Sequence, residues 1–312
     1  MSTVTDHIVN NSDIDRILSA LDNLILGKSQ QMRLALACLL ARGHLLIEDI
    51  PGVGKTTLAH ALAQVLGLEF RRIQFTSDLL PADIIGASIY RSDHQDFRFM
   101  PGPVFTQMVL ADEINRATPK TQGALLEAME ECQVTIDGIS HALPQPFFVI
   151  ATQNPRHLVG TYPLPESQLD RFLMRIELGY PGRDAERELL KGAAPRDQLQ
   201  AMQPVLNAVK LLALQKQCKK IFCSDALLDY VQDLVDTSRH SDHFALGLSP
   251  RAALALVNSA RAWALLEKRN MVIPEDIQAV LGSVVNHRLQ GSSAAEQSAN
   301  LAQQLLEAVA IP

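Results

Sequence analysis

Apolar positions recur at helical spacing from Asp13 to Leu24 and again from Ser29 to Arg42, and a short β-rich run, HLLIE, follows at 44–48. Helical spacing returns from Thr56 to Leu66. The runs RRIQFT (71–76), VFTQMVLAD (104–112) and FFVIAT (147–152) predict further strands, with a helix from Lys120 to Glu131 between the last two. Strands alternating with helices over some 180 residues predict an α/β core with a mostly parallel, doubly wound sheet. Two stretches interrupt the alternation. Residues 79–103 carry alternating positions on either side of a polar tip, Ser92 to Gln95, and predict an inserted β-hairpin. QVTIDGISHAL (133–143) predicts a second hairpin, turning at Asp137-Gly138.

After Tyr180-Pro181-Gly182 the pattern becomes helical throughout, with helices predicted at Asp184 to Lys191, Ser224 to Arg239, Pro250 to Lys268, Pro274 to Arg288 and Ala294 to Val309. Pro274 followed by Glu275 and Asp276 suits a first helical turn, where amides lack partners and the dipole favours acids. The predicted organisation is therefore an α/β core over residues 1–180 and a smaller all-α domain over 181–312.

The length of 312 residues agrees with two domains of about 150 residues each. Hydrophobic residues make up 47% and charged residues 20%, which excludes a disordered or collagenous chain. With 28 basic and 34 acidic residues the net charge is −6, so no global positive field favours nucleic acid. Cys38, Cys132, Cys218 and Cys223 form no zinc-type spacing and read as reduced thiols. The polar, acidic N-terminus lacks the layout of a signal peptide, and the most apolar stretch is broken by Arg42 and His44. That is short of the roughly 20 residues that cross a bilayer, so a cytoplasmic protein without a membrane span is expected.

The chemistry starts at HLLIEDIPGVGKTTLAHAL, where a strand, a Gly-rich turn and a helix follow one another. Small residues at Gly52 and Gly54 let backbone amides approach phosphate oxygens, and the helix N-terminus adds N–H groups and a favourable dipole. Pro51, Gly52, Val53, Gly54, Lys55, Thr56 and Thr57 are the expected phosphate-binding residues, with Lys55 directed to the β and γ phosphates of ATP and Thr56 to Mg²⁺. The full pattern asks for glycine at position 49, where this chain has Asp49.

VFTQMVLAD ends in Asp112-Glu113, placing carboxylates at a strand's C-terminal end, where such sheets bind ligands. Asp112 is expected to hold Mg²⁺ through its water shell, and Glu113 to polarise the attacking water. FFVIAT runs into Gln153-Asn154-Pro155, where Asn154 could meet the γ-phosphate or the lytic water. Alone, the acidic pair reads as a solvated turn and Asn154-Pro155 as a plain turn; the phosphate loop upstream is what favours chemistry.

The segments LIEDIPGVGKTTLA, FTSDLLPADIIG, FMPGPVF, LADEINRATPKTQGALLEAMEE, ATQNP and GTYPLPESQLDRF resemble those of MoxR-type AAA+ ATPases over essentially the whole chain. The resemblance implies a P-loop AAA+ core followed by a helical lid, and gives Gly27 and Lys28 a place beside the nucleotide base. It implies that Arg171, in QLDRF, is an arginine finger for a neighbouring subunit, with Arg116 as the alternative. It makes Arg251, in GLSPRAALAL, the sensor 2 cation, acting in its own subunit or across the ring. Structural alternatives are a helix-end salt bridge for Arg171 and a solvated first-turn residue for Arg251.

The implied protein is an ATP- and Mg²⁺-dependent hydrolase that assembles as a ring, taken as a hexamer. It would remodel, mature or load cofactor into a protein client, with a von Willebrand factor A domain protein as partner. The hairpins could line a pore, grip the client or simply be solvated. Two other readings stay open: the ATPase motor of a metal chelatase, and a DNA-directed AAA+ motor. Against the latter, SIYRSDHQDFRF carries two arginines against two aspartates, and VTIDGISHAL has no Lys or Arg.

Overall fold

The computed structural model describes residues 11–154, 160–191, 199, 202–292 and 300–311. Helices α1 (Asn11–Leu24) and α2 (Ser29–Leu40) precede β1 (Leu45–Glu48), and α3 (Lys55–Leu66) leads to β2 (Phe70–Gln74). The short α4 (Pro81–Ile85) then opens onto the hairpin β3 (Gly86–Arg91) and β4 (Asp96–Pro101). Strand β5 (Met108–Asp112), helix α5 (Pro119–Glu131), the hairpin β6 (Gln133–Ile136) and β7 (Ile139–Ala142), and strand β8 (Phe148–Gln153) follow. A single turn, α6 (Glu166–Leu169), precedes β9 (Met174–Ile176).

Five strands form one parallel sheet in the order β2-β5-β8-β1-β9. Its central strands are covered on both faces, which is why they read as continuous apolar runs. Alternate residues separate cleanly. Leu45, Ile47, Met108, Leu110, Phe148 and Ile150 face one core with α2 and α3, whereas Leu46, Val109, Ala111, Val149 and Ala151 face a second with α5.

Beyond the sheet lie α7 (Arg183–Leu190), α8 (Ala208–Lys219), α9 (Asp225–His240), β10 (Phe244–Leu246), α10 (Pro250–Leu266), α11 (Pro274–Val285), β11 (Gln290–Gly291) and α12 (Leu301–Ala308). Their apolar faces continue the first core without a break, through Leu211, Tyr230, Leu256, Ala260, Leu281 and Leu305. Gln215 Nε2 donates to Leu39 O at 2.8 Å, fastening α8 to α2. The helix starts are capped as their sequences imply: Ser224 and Ser249 accept from Leu227 N and Ala252 N, and Asp276 accepts from Ile273 N at 2.9 Å.

Several boundaries differ from the sequence prediction. The stretch 104–107 is a turn, so β5 starts at Met108. Three helices end earlier than their apolar spacing suggests, at Leu40, Leu266 and Val285. Helix α8, strand β9 and the antiparallel pair β10–β11 are additions, the last of them placing a little β structure in the helical region. Of the predicted helix Ala294 to Val309, residues 294–299 lie outside the described residues, as do Pro155 and the N-terminal residues 1–10. Both hairpins turn where predicted, with Asp137 and Gly138 at φ 52° and 78°.

Candidate functional site

In a parallel sheet all strands point one way, so their C-terminal ends share one edge. Here that edge collects the loop after β1, Gln74 of β2, Asp112-Glu113 after β5 and Gln153-Asn154 at the end of β8. Gly52 and Gly54 take φ of 85° and 96°, a region closed to most side chains, and a Cβ on either would meet nothing within 4 Å. The loop is thus open to a ligand. Thr56 and Thr57 form the first turn of α3, while Pro51 is exposed and Val53 leans on the core.

Lys55 Nζ donates to the loop's own carbonyls, Asp49 O at 2.5 Å and Ile50 O at 3.0 Å. Burial pushes the Lys55 ammonium below the ordinary lysine range, opposed by Asp49, Asp112 and Glu113. Asp112 Oδ1 accepts from Thr152 Oγ1 at 2.6 Å, and Oδ2 accepts from Arg72 Nη2 at 2.6 Å and Nε at 3.0 Å. Glu113 sits in the left-handed region at φ 56°, held there by its N–H donating to Thr152 Oγ1 at 2.9 Å. Its Oε2 accepts from Gln74 Nε2 at 3.1 Å and pairs with Arg116 Nε at 3.1 Å. Asn154 is buried at the same edge.

Arg72, Gln74 and Thr152 were not among the residues expected here. Arg72 and Gln74 share one face of β2, and the register setting Gln74 opposite Asp112 brings them to the carboxylates. Their same-face spacing was visible in RRIQFT; the neighbouring strand was not.

Gly27 (φ 73°) packs towards Ala185 of α7, and the Lys28 ammonium donates to Leu178 O and to Tyr180 O, the latter at 2.7 Å. Lys28's charge is therefore committed to main-chain carbonyls of this chain. Arg171 and Arg251 are elsewhere. Residues preceding β1 (Arg42, His44), β8 (Phe147) and β9 (Asp170) line a cavity of about 440 Å³ at the opposite edge of the sheet, together with Arg171 and Arg251. At about 3.3 Å per residue, strands of this length put the two edges roughly 13–20 Å apart. Arg171 Nη1 donates to Leu126 O at 2.9 Å and lies 3.2 Å from Glu130 Oε2; Arg251 Nη2 pairs with the other oxygen, Oε1. Arg116, by contrast, is on the phosphate-loop edge.

The two hairpins touch each other. Phe99 stacks on His141 with ring centroids 4.0 Å apart, and Tyr90 and Phe97 pair across β3–β4 at 5.2 Å while both remain exposed. Arg91 is bound by Asp96 through two hydrogen bonds, at 3.0 and 2.8 Å.

A phosphate loop, a strand-end acidic pair and a helical region behind a β2-β5-β8-β1-β9 sheet define a AAA-type ATPase. Residues 44–174 match the family described as "ATPase family associated with various cellular activities (AAA)", and residues 236–309 match the AAA lid domain. Chaperone MoxR1 of Mycobacterium tuberculosis is 43% identical over 88% of this chain and 75% of its own length. Protein MoxR of Paracoccus denitrificans is 34% identical, over 89% and 88%. A Cytophaga hutchinsonii protein, whose crystal structure carries a proposed ATPase assignment, superimposes with a TM-score of 0.88 at 35% identity, covering 97% and 96% of the two chains. The chain belongs to the MoxR family of AAA+ ATPases. Among the described residues no helix is long and apolar enough to cross a membrane.

Proposed function

We propose that the protein hydrolyses ATP in a ring, taken as a hexamer, in which each site is built from two subunits. The observation that carries this is the division of the expected site between opposite edges of the sheet. Lys55, Asp112, Glu113 and Asn154 gather at one edge, and Arg171 with Arg251 at the other. Arginines so far from their own phosphate loop are suited to the loop of a neighbour, with Arg171 the finger and Arg251 sensor 2 across the ring. Arg116, tied to Glu113, is better suited to its own edge.

Within one subunit, Lys55 would leave the carbonyls of Asp49 and Ile50 for the phosphates. Residues 52–54 and 57 would supply backbone N–H groups, Pro51 would shape the loop, and Gly27 and Lys28 would form a backbone wall for the base. Glu113, aimed by Gln74 and Thr152, would accept a proton from the attacking water, which Asn154 would orient. A magnesium ion held by Thr56 and Asp112 would supply neutralisation of the phosphate charge. Thr56 and Asp112 offer the hard oxygen donors it prefers. Among the described residues no group of three or more His, Cys, Asp or Glu could hold a metal ion, so the phosphates and water would complete the shell.

The division into a core, 1–180, and a lid, 181–312, fits this scheme, because Leu178 to Tyr180 joins the last strand to the first lid helix. The work performed would be remodelling or maturation of a protein client alongside a von Willebrand factor A domain partner. The exposed Tyr90 and Phe97 pair gives the hairpin an apolar face suited to protein rather than DNA, and Asp96 neutralises Arg91.

Glu113→Gln tests the assignment. It should bind ATP with wild-type affinity and release phosphate about 10²–10⁴ times more slowly, the usual contribution of a general base. Hydrolysis at the wild-type rate would remove Glu113 from the chemistry.

A further inference from the structure

Asp49 stands where the full phosphate-loop pattern asks for glycine, and it is 8% exposed. Its backbone extends the sheet, the N–H donating to Gln153 O at 3.1 Å. Its carboxylate turns the other way. Oδ2 accepts from Leu178 N–H and Gly179 N–H, both at 2.6 Å, and Oδ1 from Ile50 N–H at 2.7 Å. Lys28 grips the same segment by its carbonyls, those of Leu178 and Tyr180. An acid and a base thus hold opposite polar groups of residues 178–180, the stretch running from β9 towards α7.

A buried carboxylate needs hydrogen-bond donors, but three short charge-assisted bonds also fix the peptide that carries it. That peptide belongs to the phosphate loop, since Asp49 O and Ile50 O are the acceptors of the Lys55 ammonium.

We propose that Asp49 is a positioning residue that locks the phosphate loop to the linker entering the helical lid, so that filling the loop and placing the linker are one equilibrium. This rests on reading residues 51–57 as the ATP phosphate site. Phosphate competes with the two loop carbonyls for Lys55. Once released, the Asp49-Ile50 peptide can adjust, and the carboxylate passes that adjustment to Leu178 and Gly179. Linkage requires the converse: a linker held by Asp49 and Lys28 keeps the loop in the form that phosphate prefers.

Glycine at position 49 would complete the motif and remove the connection. Motif logic therefore expects Asp49→Gly to be neutral or better, whereas the lock expects a loss. The experiment uses full-length wild type, Asp49→Gly, Asp49→Asn and Lys28→Met, measuring binding of ADP and a non-hydrolysable ATP analogue by calorimetry. Hydrogen exchange at the Leu178 and Gly179 amides is followed with and without nucleotide. Wild type should show slower exchange at these amides when nucleotide binds. Asp49→Gly should bind at least about tenfold more weakly, the equivalent of one charge-assisted hydrogen bond, and lose that slowing. Exchange in β5 and α10 should stay at wild-type values, marking an intact fold. Asp49→Asn, which keeps one acceptor oxygen, should fall between, and Lys28→Met should speed linker exchange in both states.

Wild-type affinity with retained slowing in Asp49→Gly overturns the lock, as does wild-type exchange that ignores nucleotide. If Asp49→Gly does not fold, Asp49→Asn and Lys28→Met decide by the same two readouts. A wild-type protein that binds no nucleotide removes the phosphate-site reading, and the lock with it.

Discussion

Arg171 and Arg251 share one carboxylate, each lying against a different oxygen of Glu130 at the C-terminal end of α5. The sensor candidate from the lid and the finger candidate from the core are thereby held as a pair, about a strand's length from their own phosphate loop.

If the pair serves a neighbour, two inactive proteins should complement. Lys55→Ala destroys the phosphate loop and keeps the arginines, while Arg171→Ala does the reverse. Mixed and co-assembled, they should recover phosphate release that neither shows alone, and Lys55→Ala with Arg251→Ala should behave likewise. Absence of recovery in rings shown to be mixed would return both arginines to their own subunit.

Glu130→Gln should leave nucleotide affinity nearly unchanged, because binding rests mainly on the phosphate loop and the arginine pair acts on charge that develops in the transition state. Hydrolysis should fall by about tenfold, the scale of one charge-assisted hydrogen bond lost from the arginine pair. Steady-state kinetics separates the two: KM constant, kcat lower. A raised KM with constant kcat would mean that Glu130 acts on binding.

Acid should weaken the fold through His44. Its Nδ1 accepts from Val149 N–H at 3.0 Å, so the proton is on Nε2, facing Met129 O at 3.1 Å. A second proton would point at the Val149 N–H, and burial already pushes the ring down from 6.5 to about 4. Between those values the unfolded chain binds more protons, so stability is complete above pH 6.5 and is lost as pH falls towards 4. The difference amounts to about 3 kcal/mol. Burial and the Arg288 charge lower His287 as well, adding to the same slope. Denaturant unfolding at pH 7.5, 6 and 5 should show the decline, and His44→Gln should flatten part of it; a wild-type curve without slope would contradict the buried neutral ring.

The cysteines should separate by reactivity. Burial raises Cys38 far above the ordinary thiol and Cys218 to about 12, while Cys132 is exposed. Iodoacetamide on the native protein should label Cys132 rapidly and reach Cys38 and Cys218 only after unfolding, as read by peptide mass spectrometry. Rapid native labelling of Cys38 would contradict its packing.

Much of the fold was legible because its signals are local. Leu45–Glu48 and Phe148–Gln153 announce themselves as apolar strands, and Asp137-Gly138 as a two-residue turn. Strand β9 was not legible: three residues with Arg175 in the middle carry no periodicity, and only pairing with β1 makes them a strand. Helix α8 was hidden by Gln215, a polar residue in the apolar stripe of Leu211, Leu214 and Cys218, whose place there is explained only by its Nε2 donating to Leu39 O.

The sequence alone determined the order of the candidate site, because a strand, a Gly-rich turn and a helix in succession, followed by strand-end carboxylates, are legible along the chain. Only the tertiary structure decided how they divide. Parallel strands send every C-terminal end to one edge, so Arg72, Gln74 and Thr152 reach Asp112 and Glu113, while Arg171 and Arg251 fall on the far edge beside Glu130. Such contacts join residues distant in the chain, and no local pattern encodes them; Asp49, a departure from a motif in one dimension, became in three dimensions the joint between the phosphate loop and the lid linker.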